Sequence, residues 1–182
     1  ARNNIAFALK QAGRLEEAIV AYTEILNQRA VGLGPNHPDT LVSRSNLASA
    51  LEESGRVSEG IRILESVVRG AVRTLGSDDP HTLNAKALLA VAHQTAGDVG
   101  LAREFLREVY TARESALGPL HPRSLSVRGD YAGACRAAGD LPACVETGLG
   151  GALRETGALP DGEAGRQHAE LLQKSGKLVE AL

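Results

Sequence analysis

Apolar residues recur along this chain at helical spacing, with polar residues filling the gaps. Between Val57 and Arg73 they fall at Val57, Ile61, Leu64, Val67, Val68 and Ala71, a stripe along one helix face without proline or strand alternation. The stretch before it, Pro38 to Ser54, opens on a proline, whose fixed φ and missing N–H suit a first helical turn. It closes at Gly55, which suits a left-handed C-terminal cap. The pattern predicts two antiparallel helices, A and B, joined by a tight glycine turn. Asp79, before Pro80, is the expected N-cap of the next helix A, because its carboxylate can accept from the free N–H groups of the first turn.

The arrangement repeats at an interval of 42 residues. Leu33-Gly34-Pro35-Asn36-His37-Pro38-Asp39-Thr40-Leu41 returns as Leu75-Gly76-Ser77-Asp78-Asp79-Pro80-His81-Thr82-Leu83 and as Leu117-Gly118-Pro119-Leu120-His121-Pro122-Arg123-Ser124-Leu125. Gly13, Gly55, Gly97 and Gly139 keep the same interval, and Gly176 follows 37 residues later. Seven residues before these glycines stand Ala6, Ala48, Ala90, Ala132 and Ala169, and five after them Ala18, Gly60, Ala102, Cys144 and Ala181. Two helices joined by a short turn approach closely only where such small side chains cross. Ile5, Leu47, Leu89 and Tyr131 stand beside those crossings, with bulk to fill the adjoining space.

Small residue, glycine turn and small residue at these offsets resemble the tetratricopeptide repeat. The 42-residue length and the Leu-Gly-x-x-His-Pro loops are similar to its kinesin-light-chain type. The resemblance implies an all-α, right-handed α-solenoid of antiparallel helix pairs, a superhelix acting as a protein-interaction module. Arg2-Asn3-Asn4-Ile5-Ala6 and Arg44-Ser45-Asn46-Leu47-Ala48 look like the copies found in high-GC bacteria, which often sit behind an NB-ARC-type ATPase or a DNA-binding regulatory domain. A single array over 1–182 is therefore expected: 1–37, starting within its helix A; then 38–79, 80–121, 122–160 and a partial fifth unit, 161–182. In the fourth unit Gly148, Gly150 and Gly151 fall within helix B, at about 1 kcal/mol each relative to alanine. That helix is expected to be short, broken or mobile.

Composition sharpens the picture. The 182 residues include 20 glycines and 28 alanines but only 3% aromatics, which suits thin, closely packed helices. The net charge of -2 provides no global field for nucleic acid or an acidic membrane, and no apolar run approaches a bilayer span. Two cysteines make no disulfide framework, and without a secretion signature a reducing cytoplasm is expected. The chain, lacking Met even at position 1, reads as a piece of a longer protein.

Candidate chemistry is sparse. His37 and His121 hold the same place in loops a whole repeat or more apart, which points to a structural role, and His93 falls where other copies carry Leu9 and Leu51, a core position. Cys135 and Cys144 flank the Gly139 turn, as a redox-sensitive pair or as two small hydrophobes, the second reading being favoured. No phosphate loop, nucleophile elbow or zinc-protease motif occurs, so neither catalysis nor a cofactor or metal is expected.

What the array does offer is a groove lined by the A helices. By resemblance the groove-facing residues are Asn3, Phe7, Lys10, Ser45, Ser49, Glu52, Asn84, Ala87, Val91, Gln94, Ser126, Gly129, Gly133 and Arg136. Chaperone-binding relatives hold a terminal carboxylate with Lys and Asn at four-apart offsets where this chain has Ser45 and Ser49, Ala87 and Val91, Gly129 and Gly133, which argues against that role. The two glycines either clear the groove or admit a neighbouring helix. Arg2, Arg44, Lys86 and Arg128 form a basic ladder, read as a rail for an acidic peptide or, by preference, as cations paired within the fold. The expected partner is a protein or peptide, without membrane. Nucleic acid is disfavoured because stacking aromatics are missing, and homo-oligomers through exposed terminal repeats remain open. A peptide-ligand receptor domain of a signalling or transcription regulator is the alternative.

Overall fold

The computed structural model of the chain describes residues 2–139. Among them are seven α-helices and no strand. The chain divides into two compact units, Ala1–Asp98 and Val99–Leu182, that part at the glycine turn inside the third helix pair. The first unit contains α1 (Arg2–Gln11), α2 (Leu15–Leu33), α3 (Pro38–Glu53), α4 (Val57–Leu75) and α5 (Pro80–Ala96). The second contains α6 (Val99–Leu117) and α7 (Pro122–Ala137). Odd-numbered helices are the predicted A helices and even-numbered ones the B helices. Cys144, His168, Ala169, Gly176, Ala181, the glycines of the fourth B helix and the partial fifth unit lie outside the described residues.

Helices α3, α5 and α7 each start on a proline that follows a side-chain cap. His37 Nδ1 accepts from the Asp39 N–H at 3.2 Å, Asp79 Oδ1 from the His81 N–H at 2.8 Å, and His121 Nδ1 from the Arg123 N–H at 3.1 Å. The two loop histidines are thus N-caps, interchangeable across the period with an aspartate. Helices α1, α3 and α5 end in a pair of reverse bonds: Gly55 N–H to Glu52 O and Arg56 N–H to Leu51 O, with the same pattern at Gly13 and Gly97, and at the end of α7 Gly139 N–H makes the first of the two, to Arg136 O. That is the Schellman closure, and it needs a residue at positive φ. Gly13, Gly55, Gly97 and Gly139 supply it, at φ between 72° and 90°.

A second glycine series ends the B helices. Gly34 and Gly76 sit at φ 93° and 96° with ψ 159° and 165°, a region essentially closed to residues with a Cβ. Gly118 follows at φ 87°. The Leu-Gly pair of the long loops is thus a backbone requirement: the chain must leave helix B extended before the next cap.

The crossings follow the small-residue reading. Ala6, Ala18, Ala48, Ala90 and Ala102 are fully buried. At the α3–α4 crossing a Cβ built on Gly60 would stand 3.1 Å from the Ala48 carbonyl oxygen, tighter than an ordinary contact. Between α1, α2 and α3 the core is Ile19, Tyr22, Ile25, Leu47 and Leu51, and between α3, α4 and α5 it is Leu41, Val67, Ala71 and Ala85. In the second unit the rings of Tyr110 and Tyr131 stack at 6.2 Å. Ile5 departs from its period mates: it is 60% exposed, against 7% for Leu47, 1% for Leu89 and 2% for Tyr131. On α3 that face packs into the core formed with α2, and no described element lies over it on α1.

Candidate interaction surface

Within the first unit α1, α3 and α5 form one layer, tied by polar clasps. Lys10 Nζ donates to Ser49 Oγ at 2.8 Å and pairs with Glu53 Oε1 at 2.7 Å, joining α1 to α3. Thr95 Oγ1 donates to Glu52 Oε1 at 3.0 Å, joining α3 to α5. Three expected groove residues, Lys10, Ser49 and Glu52, therefore hold neighbouring helices in register as well as lining the layer. Glu53 and Thr95, one residue from each predicted position, were missed because helix spacing identifies a face without saying which side chains reach across it.

The open part of this layer lies on α5. Asn84, Val91 and Gln94 are exposed and Ala87 half-buried, at spacings of three and four that keep them on one helix face. Phe7 on α1 is also exposed. Asn3 is half-buried, with its Oδ1 enclosed and lacking a hydrogen-bond partner. Ser45 is a correction: it is buried, because α3 is surrounded by helices of both layers, and it is not available to a partner.

The basic ladder does not form an open row. Arg2 donates to Gln28 Oε1 on α2 at 3.2 Å, and Arg44 Nη1 donates to Ser66 Oγ on α4 at 3.5 Å. Both reach toward the B helices. Lys86 is only 8% exposed and has a polar partner, so it too leaves the accessible set. In the second unit Arg128 is half-buried with its Nη1 enclosed and without a hydrogen bond. On the same helix Gly129 and Arg136 are exposed and Gly133 half-buried; a Cβ on either glycine would meet no heavy atom within 4 Å. The helix that would decide between the two readings of these glycines follows α7 in the array and falls among residues 140–182, outside the described residues.

The ionisable groups serve structure. Arg14 grips both oxygens of Glu17 at 2.6 Å, and one period on Arg56 grips Glu59 at 2.8 and 2.7 Å, closing the first turns of α2 and α4. The Arg56 hydrogen bond holds the Glu59 carboxyl below its ordinary range and raises the guanidinium in return. Burial pushes the Tyr22 phenol up, and the Glu53 carboxylate adds to the effect. In the second unit burial, with Arg123 adding, lowers Arg113, while Asp130 opposes the change. His93 is buried, its Nδ1 3.4 Å from Asp98 Oδ2, as a core histidine with a satisfied edge. Cys135 is fully buried on α7. Among the described residues no group of three or more His, Cys, Asp or Glu could hold a metal, and no helix is long and apolar enough to cross a membrane.

Comparison with known proteins agrees with this architecture. The sequence profile of the tetratricopeptide repeat family matches residues 1–71 and again residues 44–115. No curated protein matches the chain in sequence. Among solved structures, the kinesin light chain nearly identical TPR-like repeats of Podosopora anserina are 29% identical, with 99% of this chain and 88% of that chain covered and a TM-score of 0.82. BtubC (BKLC) from P. vanneervenii, at 19% identity, covers 97% of this chain and 72% of its own with a TM-score of 0.73, a likeness of fold alone. Helix pairs, turn glycines, caps and profile agree: the chain belongs to the tetratricopeptide repeat family, as an all-α solenoid of helix pairs with repeats of the kinesin-light-chain type.

Proposed function

We propose that this protein acts by binding an extended segment of a protein partner along the face of its A helices, centred on Asn84, Ala87, Val91 and Gln94 of α5. A repeat array of this family is a protein-interaction scaffold. The observation that supports the α5 face is its open stripe of two amides, one exposed valine and one half-buried alanine. Amides can donate to and accept from a partner's backbone, and Val91 offers an apolar contact with little bulk in the way. Clasps at Lys10–Ser49 and Glu52–Thr95 hold the flanking helices still, which lowers the ordering cost of binding. The exposed face of α7, at Gly129, Gly133 and Arg136, offers a second small-residue surface of the same kind. The function is binding without catalysis, in a scaffold or sensor segment of a larger bacterial cytoplasmic protein. That context rests on the likeness of Arg2–Ala6 and Arg44–Ala48 to bacterial copies.

The test is capture of partners by immobilised protein, compared with Ala87→Arg and Val91→Arg, helical unfolding being monitored to confirm that each variant folds. Both variants should lose the captured partner. A folded Ala87→Arg and a folded Val91→Arg that each retain every partner would place binding elsewhere.

A further inference from the structure

A hollow on the opposite side of α3 is left unused by the A-helix face. It measures about 330 Å3 and is lined by Leu26 of α2, Arg44 of α3, and Glu59, Arg62, Ile63 and Ser66 of α4. Leu26 and Ile63 are its apolar residues, and the side chains of Arg44 and Arg62 are its cations. The one acid in the hollow is already engaged, since Arg56 holds both oxygens of Glu59. Arg44 is half-buried, and its hydrogen bond to the neutral Ser66 hydroxyl, at 3.5 Å, stands at the outer limit for such a bond. A guanidinium carries five donors, and the bond to Ser66 uses one of them.

The repeat shows what is missing. One period before Ser66 stands Glu24, and one period after it Glu108, whereas the ladder position stays cationic as Arg2, Arg44 and Lys86. Among the first three repeats, only the second keeps the cation and shortens the acid to a hydroxyl. At the position that lines the hollow, Ser66 brings neither the bulk nor the charge that glutamate brings one period before and after.

We propose that this hollow binds an anionic oxyacid group of a partner, a carboxylate or a phosphoryl group, gripped by Arg44 and Arg62 with Ser66 Oγ donating. The apolar contact with Leu26 and Ile63 favours an anion carried on a side chain over a free ion. Planar guanidinium forks match either oxyacid in two-point contact, which gives the site its selectivity over chloride.

The test uses the full chain, with the arginine Nε–H resonances followed by NMR while sodium acetate or inorganic phosphate replaces sodium chloride at constant ionic strength. Arg44 and Arg62 should shift saturably. Saturation by acetate alone identifies a carboxylate source, saturation by phosphate alone a phosphoryl source, and saturation by both the shared oxyacid chemistry. Ser66→Glu supplies the missing acid within the chain, so it should fold at least as stably while anion affinity falls about tenfold or more, the loss of one charge-assisted hydrogen bond. Arg62→Gln should also weaken binding. The proposal is overturned if neither anion gives a saturable shift, if Arg69 and Arg73 shift as much as Arg44 and Arg62, or if Ser66→Glu binds as tightly as the parent.

Discussion

Adding one methyl group to two glycines of the second unit should change stability in opposite directions. A Cβ on either Gly118 or Gly129 would meet no heavy atom of the described residues within 4 Å. They differ in backbone alone. Gly118 ends α6 at φ 87°, whereas Gly129 lies within α7 without a positive φ. An alanine held in such a left-handed conformation costs about 1–3 kcal/mol. In a helix interior the same change gains about 1 kcal/mol, because glycine loses more backbone entropy on ordering. For a chain of this length each kcal/mol moves the unfolding midpoint by roughly 2–4 °C. Gly129→Ala should therefore raise the midpoint by about that much, and Gly118→Ala should lower it by one to three times as much. Thermal unfolding followed by helical circular dichroism, at matched protein concentration, reads both. A Gly118→Ala protein as stable as the parent would refute the conformational account of the long-loop glycines, and a destabilised Gly129→Ala would show that α7 is packed at that face.

His37→Ala should cost about 1 kcal/mol of stability, because the Asp39 N–H loses its acceptor, while His37→Asp should restore most of the loss, as Asp79 does one period later. Chemical denaturation of the two variants compares them directly, and equal loss in both would remove the capping role. Leu64, buried within α4, should cost about 2–5 kcal/mol when cut to alanine, through lost transfer energy and the cavity left behind. A Leu64→Ala change under 1 kcal/mol would show that α4 is not held by its apolar stripe. Alkaline titration should expose Tyr22, whose phenol ionises above the usual range in the folded state. Its contribution is fully present below the ordinary tyrosine pKa and is lost as pH rises through the folded value, because the unfolded chain ionises first. Tyr22→Phe should flatten that alkaline loss in denaturation midpoints measured across pH, and an unchanged profile would assign the loss to other groups.

Much of the fold is legible in the sequence because its determinants are local and repeated. Proline after a capping residue, glycine at the Schellman turn and small residues seven before and five after that turn each act within a few residues of where they stand. The period multiplied a weak signal at Gly55 into several agreeing ones. The second glycine series was visible as part of the Leu-Gly loops, but its reason was not, since only the ψ values of Gly34 and Gly76 show an extended exit from the helix. The binding face was less legible. Offsets along α3 identify the side of the helix on which Ser45 and Ser49 lie, yet Ser45 is buried and Ser49 bonded to Lys10 because α3 is wrapped by its neighbours. The same offsets on α5 are open, at Asn84, Val91 and Gln94. Helix periodicity gives direction, and exposure depends on how many helices stand beside it. Likewise the ladder of Arg2, Arg44, Lys86 and Arg128 was real as a pattern, but its members Arg2 and Arg44 reach toward B helices, so a row in sequence did not become a rail on the surface.

The A-helix face is tested most directly by a photo-crosslinking residue placed at Val91 and, separately, at Arg69 on α4, followed by exposure of each protein to captured partner and mapping of the adducts. Binding along the A helices predicts adducts from Val91 and none from Arg69. Adducts from Arg69 with none from Val91 would contradict it.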